Sequence, residues 1–264
     1  MKDPSHLKRV TRKIASGGVP LGTVINLSDA TVTEVLANAG YDFLWIDGEH
    51  SPLGLPEVSR HVLAARSYGV APFIRIPWND PVRAKPILEM GPAALVFPFI
   101  NSADDAADAV AACRYPPKGV RGFGPQRANL FGSESLGEYM SRSEQEPWVV
   151  LQIEHVEAVK NLDAICEVEG IGSLLVGPFD LSSSVGRAGQ LKDPEVVALF
   201  DRVAETANQK GVCFGAFALA DDEETIRGWL DRGASWLALD TDMGLLRQRA
   251  LNSVERVRQI LPGE

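Results

Sequence analysis

Residues 148–154 read Trp148-Val149-Val150-Leu151-Gln152-Ile153-Glu154, and residues 173–180 read Ser173-Leu174-Leu175-Val176-Gly177-Pro178-Phe179-Asp180. Each is a short, nearly continuous apolar run that leads into a carboxylate. Runs of this kind fit strands of a parallel sheet covered on both faces, whereas half-exposed strands alternate. The stretch 156–169 between them has a helical pattern, so the unit reads as β-α-β. Glu154 and Asp180 then leave neighbouring parallel strands at the same sheet edge. Two acids converging in a poorly solvated cleft repel each other at high cost. A hard divalent cation between them is the economical resolution.

The same grammar extends in both directions. Short apolar runs at 21–26, 43–47, 72–76, 94–99, 148–153, 173–176, 212–217 and 235–239 predict eight strands. Helices announce themselves between several of them. Ser28-Asp29-Ala30 opens 29–39 before Gly40, and Ser102-Ala103-Asp104-Asp105 opens 103–113 with a cap and first-turn acids. Asp193-Pro194-Glu195 starts 194–210, which Gly211 stops, and Asp221-Asp222-Glu223-Glu224 leads 221–232. Eight β/α units in this length predict a closed (β/α)8 TIM barrel, a single domain over 1–264. An open doubly wound sheet is the rival, weakened because no G-x-G-x-x-G turn follows the first strand. Two stretches break the rhythm. Residues 114–147 form a long Gly/Pro/Ser-rich connection, expected to fold over the barrel mouth or against another subunit. Residues 244–261 carry an amphipathic pattern (Leu245, Leu246, Leu251, Val254, Val257, Ile260) and are expected to close the barrel or dock on a neighbour.

Composition narrows the function class. The 264 residues carry a formal charge of −9, which argues against a general nucleic-acid binder. Cys113, Cys166 and Cys213 lie far apart with no C-x-x-C spacing, as expected of small apolar residues in a reducing cytoplasm. No apolar run is long enough to span a membrane.

In such a barrel, catalytic groups gather at the carboxyl ends of the strands. Those ends carry Asp47, Glu49 and His50 after the second strand, and Arg75 in the third. Gln152 and Glu154 lie at the fifth, and Gly177-Pro178-Phe179-Asp180 at the sixth. Asp47-Gly48-Glu49-His50 offers an imidazole flanked by acids, one of which can set its tautomer and basicity. Arg75 sits inside Phe73-Ile74-Arg75-Ile76-Pro77, where an unpaired guanidinium would be expensive, so it faces a protein or a substrate carboxylate. The turn at Gly177–Asp180 opens a short helix whose free N–H groups suit a carboxylate. His155 is set aside because it alternates away from Glu154 along the strand. His6 and His61 read as surface residues. Arg121 and Arg127 serve either substrate contact or loop stapling.

Taken together, Asp47-Gly48-Glu49-His50, Arg75-Ile76-Pro77, Arg114-Tyr115-Pro116-Pro117 with Arg121-Gly122, Gln152-Ile153-Glu154 and Gly177-Pro178-Phe179-Asp180-Leu181-Ser182 resemble the HpcH/HpaI-type aldolases over roughly 20–250. These are metal-dependent pyruvate aldolases with a barrel of the phosphoenolpyruvate/pyruvate-binding type. They include 2,4-dihydroxyhept-2-ene-1,7-dioate aldolase and 5-keto-4-deoxy-glucarate aldolase. The resemblance implies that Glu154 and Asp180 hold Mg2+, Mn2+ or Co2+, with water completing the shell. It implies that Arg75 steadies the enolate oxygen and that His50, oriented by Asp47, moves the proton. Gln152 and the backbone at Gly177 and Phe179 would hold the pyruvate end. It further implies a homo-hexamer with exchanged C-terminal helices. The alternatives are a lyase acting on CoA esters of the citrate or malyl-CoA type, and a non-catalytic ligand-sensing barrel. The chain departs from the pattern at Asp240, where relatives carry Gly, and Trp45, Trp78 and Phe179 are bulkier than the family leads one to expect.

Overall fold

All eight apolar runs form strands, in a computed structural model that describes residues 5–261. They are β1 (Leu21–Ile25), β2 (Phe43–Asp47), β3 (Ala71–Arg75), β4 (Ala94–Phe97), β5 (Trp148–Ile153), β6 (Ser173–Val176), β7 (Phe214–Ala218) and β8 (Trp236–Thr241). Every pairing is parallel, and β8 returns to β1, so the sheet closes into a barrel. The expected (β/α)8 barrel is the observed fold. The outer limits of the expected domain, residues 1–4 and 262–264, lie outside the described residues.

Helix α1 (Leu7–Ala15) precedes the barrel. After β1 to β4 come α2 (Thr31–Asn38), α3 (Leu55–Ser67), α4 (Pro81–Leu88) and α5 (Ala103–Cys113). A 3-10 turn (Arg127–Gly132) and α6 (Leu136–Ser143) lie in the long connection. After β5 come α7 (Val156–Lys160) and α8 (Leu162–Cys166), and after β6 come α9 (Pro178–Ser184) and α10 (Pro194–Lys210). Helix α11 (Glu223–Asp231) follows β7, and α12 (Asp242–Arg258) follows β8. The caps read from sequence do their work: Ser102 accepts from the Asp105 N–H at 3.1 Å, and Asp193 accepts from the Glu195 N–H at 2.9 Å. The single helix expected over 156–169 is instead two, broken at Asn161 (φ −96°, ψ 8°).

The barrel interior is plugged at its amino-terminal end by rings. Phe43 and Phe73 stack at 4.5 Å, and Trp236 meets them edge-on at 5.4 and 5.8 Å. Room for these rings comes from glycines on adjacent strands; a Cβ on Gly22 would lie 2.2 Å from Phe43, and one on Gly215 would lie 2.1 Å from Trp236. The indole N–H of Trp236 donates to Ser173 Oγ at 2.9 Å, so the plug leaves that polar atom satisfied. The plug floors the barrel, and the other end stays open.

The connection 114–147 is not over the mouth. It enters β5 from its amino-terminal end, and its anchors are there too. Arg121 donates from Nη2 to Leu88 C=O (3.4 Å), Glu89 Oε1 (3.1 Å) and Tyr139 Oη (3.0 Å), just ahead of β4. Arg142 ties Ala128 C=O, Glu134 and Glu146 together. Arg121 therefore staples the loop and does not reach the mouth, while Arg127 stacks on Phe131 at 5.1 Å. The connection leaves a helix, and in this fold helices return the chain to the far side.

Candidate active site

Strand register assembles the mouth. In the parallel pairing of β2 with β3, Asp47 is the direct partner of Arg75, and both side chains are buried. Arg75 donates from Nε to Asp47 Oδ1 at 2.9 Å and from Nη2 to Asp47 Oδ2 at 2.7 Å. Its Nη1 reaches Glu49 Oε2 at 2.9 Å and Gln152 Oε1 at 3.5 Å. A bidentate guanidinium–carboxylate pair is rigid, so the planar group is aimed before any ligand arrives. Burial works against the Arg75 charge, but Asp47, Glu49 and Glu154 outweigh it and hold Arg75 above its ordinary value. Burial likewise penalises Asp47, and Arg75 reverses the sign, leaving Asp47 below the usual carboxylate range.

Gln152 connects this pair to the second half of the site. Its Nε2 bonds Glu154 Oε2, and Glu154 Oε1 accepts from the Phe99 N–H at 2.7 Å. Phe99 reaches this position through a left-handed backbone (φ 52°), uncommon for a bulky residue and a local strain spent on holding Glu154. Glu154 is 1% exposed. Burial pushes its carboxyl up to about 7; the Phe99 N–H opposes this, and Glu49 and Asp180 add to it by repulsion. Glu49 is also raised by burial, against the pull of Arg75. The side chain of Asp180, in the first turn of α9, makes no hydrogen bond or ion pair among the described residues.

Several expectations need correcting. Asp47 does not orient the His50 ring. Its carboxylate faces Arg75, and Oδ1 accepts from the backbone N–H groups of Glu49 (3.0 Å) and His50 (3.3 Å). The His50 ring stands exposed at the rim, with Nε2 3.8 Å from Glu49 Oε2. The Gly177 N–H is not free for a ligand, since it donates to Ile153 C=O at 3.1 Å. What Gly177 supplies is space: a Cβ there would sit 2.8 Å from Glu154 Cβ and 2.9 Å from its Oε2. The amides of Phe179 and Asp180 do precede the first intrahelical bond of α9, from Leu181 N–H to Gly177 C=O at 3.0 Å. The Phe179 side chain is half exposed and leans on Phe217, with ring centres 6.2 Å apart. His61, read as a surface residue, is fully buried and bonds Thr33 Oγ1 at 2.6 Å. Asp240 takes the left-handed conformation (φ 55°) that suits the expected Gly, and its Oδ2 accepts from the Ala220 N–H at 3.1 Å. It ties down the β7–α11 turn, while Thr241 caps α12.

The sequence alone assigns no role to Asn26, Trp45 or the Phe99 amide, and places Glu49 only beside His50. Asn26 donates to Asp47 at 3.4 Å, and Trp45 lies under Arg75, 5.0 Å from ring centre to guanidinium carbon. Inward alternation along β2 was the signal for Trp45, since it shares a face with Asp47.

The donor set fits a divalent cation. Asp47, Glu49 and Glu154 face one guanidinium and Asp180 adds to the repulsion on Glu49 and Glu154, an excess of negative charge in a largely buried corner. All the candidate donors are hard oxygens. No cluster of three or more His, Cys, Asp or Glu poised for a metal occurs among the described residues. Held by Glu154 and Asp180 alone, an ion would keep its other positions for water and substrate. Beside them lies a cavity of about 430 Å³ that reaches from Asn26 and Trp45 to Phe179 and Met243, a size usual for small-molecule sites.

Residues 21–248 match the model of the family described as HpcH/HpaI aldolase/citrate lyase. The chain belongs to that family. It is 36% identical over 237 residues to a 4-hydroxy-2-oxo-heptane-1,7-dioate aldolase of Escherichia coli, covering 90% of both chains. Among solved structures, an HpcH/HpaI aldolase from Desulfitobacterium hafniense superposes with a TM-score of 0.89 at 30% identity, over 96% of this chain and 97% of that one. A family member from Burkholderia cenocepacia gives a TM-score of 0.88 at 30% identity, over 95% and 99%. The relatives named aldolases are carbon–carbon lyases, and aldolases of the family depend in general on a divalent metal ion.

Proposed function

We propose that the protein is a divalent-metal-dependent aldolase that joins pyruvate to an aldehyde and cleaves the resulting 4-hydroxy-2-oxo acid. The observation that carries this reading is Arg75, locked by Asp47 and aimed beside the Gln152–Glu154 pair. Bound between Glu154 and Asp180, the ion (Mg2+, Mn2+ or Co2+) would supply positive charge for the keto and carboxylate oxygens of pyruvate. Arg75 faces the same keto oxygen and steadies its charge as C3 loses a proton. A preorganised donor of this kind is often worth ~3–4 kcal/mol. Gln152 fixes the orientation of Glu154 and contacts the pyruvate end, and the Phe179 amide receives the carboxylate. His50, free at the rim, takes the C3 proton and returns one to the alkoxide of the product.

The experiment is exchange of the pyruvate methyl protons with D2O. Chelated enzyme should show none, and Mn2+ or Mg2+ should restore it. A Glu154→Gln variant that exchanges at the wild-type rate after chelation would contradict the assignment.

The same proposal includes a cytoplasmic homo-hexamer in which α12 is exchanged between subunits. Leu246, Leu251, Val254 and Val257 are all exposed along α12 and Ile260 just past its end, a surface too apolar to leave in water. Sedimentation of Leu251→Asp against the parent chain tests it, with dissociation the expected result.

A further inference from the structure

The apolar part of the cavity wall is built from Val24, Trp45, Val176, Phe179, Phe217 and Met243. Arg75 is the one Lys or Arg among the described residues lining it, and its guanidinium is committed. Nε and Nη2 serve Asp47, and Nη1 serves Glu49 and Gln152. Thr241 Oγ1 accepts from the Gly244 N–H at 2.9 Å and keeps only a neutral hydroxyl donor. With His50, Asp180 and the Phe179 amide given to the pyruvate half of the site, two buried polar atoms without a partner remain, Asn26 Oδ1 and Trp45 Nε1. They can meet one neutral polar group and cannot balance an anion. The E. coli relative is named for a heptane-1,7-dioate, a compound with a carboxylate at each end. A carboxylate brought against these apolar groups would be desolvated without a counter-charge, in a cavity that Asp47 and Asp180 also line.

We propose that the acceptor for this enzyme is an uncharged aldehyde with an apolar, preferentially aromatic, side chain seated against Phe179, Phe217 and Met243. The inference rests on the aldolase reading above. In the forward step the C3 proton of pyruvate leaves and C3 bonds the aldehyde carbon. The C=O electron pair moves to oxygen, which takes up a proton, so no oxidant or reductant is needed. The phenyl ring would lie against the apolar surface of Phe179 and Phe217, whose ring planes meet at 58° with centres 6.2 Å apart.

The test uses the full chain loaded with Mn2+. Pyruvate exchange in D2O is measured first, then kcat/KM for bond formation with benzaldehyde, succinic semialdehyde and glyceraldehyde. Benzaldehyde should exceed succinic semialdehyde by at least about 100-fold, because the charged end finds no partner. Met243→Arg, a substitution at a half-exposed position, should move that ratio toward succinic semialdehyde by about tenfold, the worth of one modest charge pair. Exchange with a preference for succinic semialdehyde or glyceraldehyde overturns the proposal and leaves the aldolase reading standing. A ratio unmoved by Met243→Arg overturns the assignment of this wall. Absence of exchange brings down both.

Discussion

The two ends of the barrel solve opposite problems with the same strands. At the floor, Phe43, Phe73 and Trp236 fill the interior, glycines make way for rings, and the one indole N–H finds Ser173. At the mouth, one or two inward positions further along, the same strands carry Asp47, Arg75 and Gln152, with Glu154 just past β5. Here Trp45 leaves its indole N–H unpaired, Phe99 is held at positive φ, and carboxylates outnumber cations. The floor maximises burial and satisfaction. The mouth holds charge, strain and open valence that the floor's packing can sustain, as expected where binding and not stability is selected.

The largest effect should come from removing the charge that holds the mouth together. Arg75→Ala strands Asp47 and Glu49 in the interior, so stability falls by about 3–5 kcal/mol. Pyruvate exchange, read per folded chain, falls by about a thousandfold. Trp236→Ala breaks the other end and should cost about 3–5 kcal/mol in chemical denaturation. The folded fraction should keep its Mn2+ affinity, which separates floor from mouth.

Glu154 sharpens the contrast through pH. Its carboxyl is raised from an ordinary 4.5 to about 7, so between these values the metal-free folded state binds a proton that the unfolded state has released. Stability of the metal-free protein should therefore fall as pH rises through that window, by about 3 kcal/mol in all. Glu154→Gln should abolish the slope and be more stable than the parent chain at pH 7. The smallest effect is expected at Asp240→Gly. Relief of the left-handed backbone and loss of the bond to Ala220 nearly cancel, leaving a change under about 1 kcal/mol in thermal unfolding.

Much of the barrel was legible because its strands are apolar runs closed by punctuation. Ser102, Asp193 and Gly211 mark helix ends by local chemistry, and local chemistry survives folding. What escaped was relational. Asp47 was assigned to His50, its neighbour in sequence, whereas the β2–β3 register sets it against Arg75, 28 residues away. Gly177 was read as an amide donor, but parallel pairing with β5 had already taken its N–H. Length and composition put the 114–147 connection either over the mouth or against another subunit. Counting the direction of the chain, from helix back to strand, would have sent it to the floor. His61 looked solvated because nothing in its own helix shows that Thr33 waits on the next one.

The central claim is that the unbalanced carboxylates at the mouth exist to hold a cation. Calorimetric titration of Mn2+ into metal-free protein, across pH 5 to 8, tests it most directly. The wild type should bind one ion per chain, weakly below pH about 7 with release of a proton and tightly above it, and Glu154→Gln should lose the binding. A wild type that binds no Mn2+, or a Glu154→Gln variant that binds it as tightly, would contradict the account.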